Sequence, residues 1–190
     1  VAAQLRADKD KLAHWMTVEM GKPAKEAGPE VEKGAWCAEH YADHAAEYLK
    51  NEVIASDASE SYVHYEPLGV ILSILPWNAP VWLAMRALAP ALMAGNTCVM
   101  KHDPNVPGCG EAIEAVFRAA GLPENAMRNL PVATEQVELA IKHPAVQAVS
   151  FTGSSKAGSI VAATAAAEIK HAVLELGGSD PMVVLADADL

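Results

Sequence analysis

The chain has 190 residues, of which 52% are hydrophobic and 20% are charged, a composition typical of a soluble globular protein with a well-buried core. Its formal net charge is −10 and it has no cluster of basic residues, which excludes nucleic acid as a partner. No uninterrupted apolar run approaches the ~20 residues that a membrane span needs, and the longest candidate, GVILSILPW (69–77), is closed by proline.

Three cysteines occur, an odd number without the CxxC spacing of metal sites or of a disulfide framework: Cys37, Cys98 and Cys109. This usage predicts a reducing compartment, which we take to be the cytoplasm, and no metal.

Two amphipathic helices are predicted at the start of the chain, over about 1–20 and 29–50. Gly21 and Pro23 end the first, and Pro29 begins the second. A polar stretch then leads into SYVHYE (61–66), whose alternation is typical of an exposed strand or of one arm of a hairpin.

From Gly69 onwards, short apolar runs alternate with helical patterns. This alternation predicts a doubly wound α/β fold, a parallel sheet with helices on both faces. The predicted strands are 69–75, 97–101, 127–132, 146–151, 171–176 and 181–186, and the predicted helices are 80–94, 108–120, 134–142 and 155–168. Ligands of such folds bind at the carboxyl ends of the strands.

Four of the loops that follow these strands carry polar groups: PWNAP (76–80), KHDPN (101–105), TGSSKAG (152–158) and ELGG (175–178). Because parallel strands end at one edge of the sheet, we expect an amide, an ammonium, a glycine-serine turn and a carboxylate to converge there. TGSSKAG has the backbone N–H groups and the hydroxyl that suit a phosphate at a helix N-terminus, although a plain Gly/Ser turn has the same letters. Lys101 is compatible with a surface lysine or with a lysine that binds ribose hydroxyls.

Four motifs resemble the aldehyde dehydrogenase superfamily, in order and in approximate spacing: EPLGVILSILPWNAP, ALAPALMAGNTCVMK, SFTGSSKAG and VLELGG. KHDPN and ELGGSDP look most like its succinate-semialdehyde dehydrogenase branch. The resemblance implies oxidation of an aldehyde to a carboxylate by NAD or NADP, through a thiohemiacetal and a thioester on a cysteine.

Carried over residue by residue, the resemblance makes Asn78 the amide that stabilises the oxyanion and Glu175 the general base for thioester hydrolysis. The positions that match cofactor-lining residues are Trp77, Lys101, Gly153, Ser154 and Leu176. Pro104 stands where many NAD-preferring relatives have a ribose-binding glutamate, so the choice between NAD and NADP stays open.

The resemblance also implies that the chain is a fragment. The family's nucleophilic cysteine lies a few tens of residues beyond the ELGG glutamate, and none of the three cysteines present matches it. Four segments are expected: an N-terminal helical layer (1–52), an oligomerisation strand segment (53–66), a dinucleotide-binding domain (67–180) and the start of a link to a catalytic domain (181–190). The second segment implies a homo-oligomer.

Arg86 interrupts an apolar helix, where it either reaches the surface or binds the carboxylate of a substrate such as succinic semialdehyde. His40 and His44 lie one helical turn apart without a third ligand, which favours a solvated face over a metal pair. The alternative to an enzyme is a non-catalytic nucleotide-binding or assembly module that retains the scaffold.

Overall fold

A computed structural model describes residues 1–189. In chain order the helices are α1 (Ala2–Ala7), α2 (Lys9–Met20), α3 (Ala24–Tyr48), α4 (Pro80–Met93), α5 (Pro107–Ala119), α6 (Val137–Lys142) and α7 (Ser155–Ala167). The strands are β1 (Glu52–Val53), β2 (Tyr62–Val63), β3 (Val70–Ile74), β4 (Thr97–Lys101), β5 (Met127–Asn129), β6 (Val146–Gly153) and β7 (His171–Leu176).

Strands β3 to β7 form one parallel sheet in the order β5-β4-β3-β6-β7. The chain runs outwards from β3 through β4 to β5, and it then returns to the other side of β3 for β6 and β7. This reversal is the topological switch point of a doubly wound sheet, and the predicted fold class is confirmed.

Successive side chains of β3 point to opposite faces of the sheet, and each face is covered by its own helices. Ile71 and Leu75 pack into one core with α4, α5 and the N-terminal helices. Leu72 and Ile74 pack into a second core with α6 and α7. The N-terminal helices therefore form a layer outside α4 and α5.

The N-terminal helices differ from the predicted ones at their ends. The predicted helix over 1–20 is divided at Asp8, and it ends at Gly21 in the left-handed conformation, with φ of 74°. Helix α3 begins at Ala24, so the prediction that it begins at Pro29 is wrong. Pro29 lies inside the helix, where it removes one backbone hydrogen bond. Close packing against α4 stabilises α3 nonetheless, since a Cβ added at Gly34 would lie 3.1 Å from Met85 Cγ.

Strands β1 and β2 form a small antiparallel hairpin, which agrees with the hairpin arm predicted at 61–66. Its apolar side chains project from the protein surface, and Val53 is 84% exposed.

The predicted strand at 181–186 is wrong, because those residues have no regular secondary structure. Only GGSD (177–180) separates the run from β7. A further parallel strand needs a crossover connection of about a dozen residues, which this linker is too short to supply. Leu190, the last residue of the predicted link, lies outside the described residues. None of the described helices is both long enough and apolar enough to cross a bilayer.

Candidate active site

The loops on the two sides of the switch point carry most of the predicted site residues. The loop after β3 contains Trp77 and Asn78, and both side chains are exposed. Ile74, the last residue of β3, pairs with Lys101 on one side and with Phe151 on the other. The end of β4, which carries Lys101, and the end of β6, which leads into the glycine-serine turn, therefore lie on either side of the loop that carries Asn78.

Two buried side chains hold the first turn of α4, which begins directly after this loop. Glu30 Oε1 accepts hydrogen bonds from the backbone N–H groups of Val81 and Trp82, at 2.9 and 3.1 Å. His102 Nε2 donates to the Pro80 carbonyl oxygen at 3.0 Å. Lys22 forms an ion pair with the same Glu30 carboxylate, which keeps this buried charge compensated.

Lys101 is not a surface lysine, because only 5% of it is exposed. Among residues 1–189 its ammonium group has no hydrogen bond or ion pair, although Asp103 and Glu135 are near enough to act on it electrostatically. Burial lowers the pKa of Lys101, and the two carboxylates act in the opposite direction. A cation on a largely buried stem, without a protein partner among the described residues, is suited to a polar or anionic ligand at the carboxyl ends of the strands.

The glycine-serine turn is shaped by close packing. Ser154 is the N-cap of α7, and its Oγ accepts a hydrogen bond from Ala157 N at 3.2 Å. A Cβ at Gly153 would lie 2.6 Å from Phe151 Cζ, so the turn needs glycine at that position.

Leu176 lies against α7, where a Cβ at Gly158 would be 2.4 Å from its Cδ2. Glu175, one residue earlier, therefore points to the opposite face of β7, towards α4.

Glu175 forms an ion pair with Arg86, in which Nη2 and Oε2 are 2.5 Å apart. The two side chains are 41% and 52% exposed, so the pair lies at the surface. Both residues line a cavity of about 270 Å³ between α4 and strands β3, β6 and β7. Other polar residues that line this cavity are Asn96, Ser150, Thr152 and His171, whereas Trp77, Asn78 and Lys101 do not line it. The structure thus brings Arg86 and Glu175 together, and it places Glu175 opposite Thr152 in the sheet, next to the paired Gly153 and Leu176.

All three cysteine thiols are buried, and none of them is suited to be a nucleophile. Burial raises the pKa of Cys98 to about 12, and it also raises the pKa values of Cys37 and Cys109. Cys109 lies in the first turn of α5, but the Glu19 carboxylate accepts from its backbone N–H at 2.9 Å and opposes a thiolate there.

His40 and His44 are engaged with their own helix. His44 Nδ1 donates to the His40 carbonyl oxygen at 2.8 Å, and His40 Nε2 lies 3.0 Å from the Tyr48 hydroxyl. Within residues 1–189 no group of three or more metal-binding side chains occurs.

Sequence reasoning missed Glu19, Glu30 and His102, which anchor the first turns of α5 and α4. Glu19 Oε1 accepts from Gly108 N at 2.6 Å, and Glu30 reaches across more than fifty residues of sequence. In the sequence both look like ordinary helical surface glutamates. His102, the histidine of KHDPN, had one weak indication in the sequence, because it directly follows Lys101, a predicted site residue.

The sequence profile of the aldehyde dehydrogenase family matches residues 1–190. A probable succinate-semialdehyde dehydrogenase of Synechocystis, whose name specifies NADP(+), is 48% identical over 186 residues. That match covers 98% of this chain and 41% of the relative. The succinate semialdehyde dehydrogenase Sad of Escherichia coli, whose name specifies NAD(P)+, is 43% identical over 100% of this chain and 41% of the relative.

A solved structure has the same fold. The crystal structure of succinic semialdehyde dehydrogenase from Streptococcus pyogenes in complex with NADP+ superposes with a TM-score of 0.92 at 38% identity. The superposition covers 99% of this chain and 41% of that one. The chain therefore spans about two fifths of the length of the relatives it matches, and the resemblance inferred from its motifs is confirmed.

Proposed function

Since the chain belongs to the aldehyde dehydrogenase family, we propose that the whole protein oxidises an aldehyde to a carboxylate with NAD or NADP, and that its substrate is succinic semialdehyde. The observation that carries this proposal is the ion pair between Arg86 and Glu175. A guanidinium that already binds one carboxylate, beside a candidate general base and above a cavity, is suited to hold the carboxylate of a short ω-carboxy aldehyde.

The residues at the carboxyl ends of the strands fit a dinucleotide. The side chain of Lys101 is largely buried, its ammonium group lacks a protein partner among the described residues, and such a group suits ribose hydroxyls. The first turn of α7 offers backbone N–H groups next to the Ser154 hydroxyl, which suit a phosphate. Trp77 and Leu176 add apolar surface near these groups, and each is more than two fifths exposed. These residues would hold NAD(P)+, which would supply the hydride acceptor for the oxidation.

In the proposed reaction a cysteine thiolate from beyond this chain adds to the aldehyde carbon. Asn78 donates a hydrogen bond from its amide to the oxygen that becomes an oxyanion in this step. Once its carbonyl carbon has been oxidised, the acyl group would be a thioester of that cysteine. Glu175 then removes a proton from water, the hydroxide adds to the thioester carbon, and the C–S bond breaks to release the carboxylate product and the thiol.

Glu175 must leave Arg86 before it can serve as this base. Both side chains are about half exposed, so the ion pair is worth only about 0–1 kcal/mol. The substrate carboxylate can therefore replace the Glu175 carboxylate on Arg86 at little energetic cost.

The β1–β2 hairpin supports a homo-oligomer. It exposes apolar residues on a short antiparallel ribbon, and such a ribbon is only marginally stable unless further strands or another surface cover it. The partner would be a second copy of the chain, in line with the resemblance of this segment to an oligomerisation strand. The three buried free thiols agree with a cytoplasmic location.

The full-length protein, extended to include the cysteine-bearing segment, tests the proposed activity. We expect reduction of NAD or NADP with succinic semialdehyde, a lower kcat/KM with butanal, and strong loss of activity in Asn78→Ala. A full-length protein that binds the cofactor but oxidises neither aldehyde would instead be the non-catalytic module.

A further inference from the structure

His102 follows Lys101 at the end of β4, and only 7% of it is exposed. Both ring nitrogens have partners. Nε2 lies 3.0 Å from the Pro80 carbonyl oxygen, and Nδ1 accepts from the Asp103 backbone N–H at 3.1 Å. Because a carbonyl can only accept and an amide N–H can only donate, the ring must be neutral with its proton on Nε2.

This ring joins two loops of the candidate active site. On one side it follows Lys101, the largely buried lysine at the end of β4. On the other side it binds Pro80, the first residue of α4, which comes two residues after Asn78. Glu30 binds the next two backbone N–H groups, so three consecutive residues of α4 are held by buried side chains from two other elements.

Asn78 itself has no such support. Its side chain is exposed and makes no hydrogen bond within the described part of the chain. The direction of its amide therefore depends on the backbone into which it is built, and that backbone is fixed two residues later. An oxyanion donor acts only if it is held within a fraction of an ångström of the developing charge.

We propose that His102 is a positioning residue for the aldehyde oxidation, because its hydrogen bond to Pro80 holds the first turn of α4 and thereby directs the Asn78 amide at the substrate oxygen. This inference rests on the proposed function. It assigns His102 no contact with substrate or cofactor. A histidine that only filled the core would affect stability and would leave the turnover of the folded enzyme unchanged.

Three substitutions in the full-length enzyme separate these roles. His102→Gln keeps an N–H donor of similar reach towards Pro80. His102→Asn is too short to reach Pro80 but retains an acceptor near Asp103 N–H, and His102→Leu removes both groups while it fills the space. We expect kcat with succinic semialdehyde to fall about 10- to 100-fold in the Asn and Leu variants and to recover at least partly in the Gln variant. The KM for NAD(P) should change less than about threefold, because misdirection of Asn78 acts on the oxyanion rather than on cofactor binding.

A double-mutant cycle with Asn78→Ala tests whether His102 acts through Asn78. If it does, His102→Leu slows the wild type but does not further slow the Asn78→Ala enzyme. Additive losses, or an unchanged kcat in correctly folded Asn and Leu variants, would overturn the proposal. If the Leu variant does not fold, the comparison between Gln and Asn decides in the same way. An inactive wild type, or an Asn78→Ala enzyme as fast as the wild type, would instead overturn the proposed function from which the inference starts.

Discussion

Arg86 of α4 and Glu175 of β7 form an ion pair across the mouth of the cavity between helix and sheet. The two residues are separated by three strands and three helices in the sequence, and they meet because alternate residues of β7 face α4. The pair joins the candidate substrate-binding cation to the candidate general base. Because both side chains are about half exposed, the ion pair contributes little to stability, and Arg86 can bind another carboxylate in place of Glu175.

Arg86→Ala in the full-length enzyme is expected to lower kcat/KM for succinic semialdehyde by about 1 kcal/mol, roughly fivefold, because the substrate carboxylate loses an exposed charged partner. Activity with butanal, which lacks a carboxylate, should fall little or rise. Arg128→Ala is the matched control, since Arg128 is an exposed arginine that forms an ion pair with the half-buried Glu114 at the opposite edge strand of the sheet. Steady-state kinetics with both aldehydes makes the comparison. Equal losses on the two substrates would contradict carboxylate recognition by Arg86.

Glu175→Gln is expected to slow thioester hydrolysis more than hydride transfer, because the amide cannot take a proton from water. Rapid mixing should then show a burst of reduced cofactor followed by a slow steady state. The substitution also frees Arg86, so the KM for succinic semialdehyde should not rise. Glu138→Gln, on the surface of α6, should behave like the wild type. If burst and steady-state rates fell together, Glu175 would not be the hydrolytic base.

Lys101→Met is expected to weaken cofactor binding while it raises the free energy of unfolding of the unliganded protein by about 1 kcal/mol. The gain follows because partial desolvation disfavours the charged form of Lys101, and the substitution puts an apolar side chain of similar length in its place. Lys142→Met removes an exposed lysine that is paired with Glu138, and should give no such gain. Chemical denaturation and cofactor titration measure the two quantities. A destabilised variant would mean that Lys101 is stabilised by its protein surroundings.

The fold was largely predictable from the sequence, because apolar runs and helical periodicity alternate from Gly69 onwards. The predicted strands 97–101 and 171–176 coincide with β4 and β7. The run at 181–186 satisfied the same apolar rule, but its short linker leaves no room for a crossover. Periodicity reports which face of an element is apolar, and it does not report whether an open sheet edge is within reach.

The sequence predicts individual candidate residues where a motif or a loop after a strand carries a polar group, as with Asn78 and Lys101. The supports of that chemistry come from residues distant in sequence. Glu30 binds the first turn of α4, and Glu175 faces Arg86 on the same helix. Neither contact leaves a periodic signal, because each depends on how separate elements pack against each other.

The stability of the protein should depend on pH through His102. Burial lowers the pKa of His102, and the positive charge of Lys101 lowers it further. The Pro80 hydrogen bond and the Asp103 and Glu19 carboxylates raise this pKa, but burial is the largest effect. Below about pH 6.5, the ordinary pKa of histidine, the unfolded chain therefore binds a proton at this position that the folded chain does not. The contribution of His102 is complete above that pH and is lost as the pH falls towards the folded pKa.

We therefore expect the free energy of unfolding of the wild type to fall more steeply below about pH 6.5 than that of His102→Gln. The two slopes should differ by at most about 1.4 kcal/mol per pH unit, the value for one proton. Denaturation curves over a pH series make the measurement. Parallel curves for the two proteins would show that His102 binds its proton equally well in the folded and unfolded states.

Glu30→Ala is expected to lower the free energy of unfolding by about 3 kcal/mol, which is typical when one partner of a buried ion pair is removed. The substitution leaves Lys22 without its carboxylate and leaves the N–H groups of Val81 and Trp82 without an acceptor at the start of α4. Glu32→Ala is the matched control on the same helix, because Glu32 is exposed and pairs with Arg6, which is exposed as well. The control should lose less than about 1 kcal/mol. Chemical denaturation of the full-length protein measures both values, and similar losses in the two variants would mean that the Glu30 carboxylate does not anchor the first turn of α4.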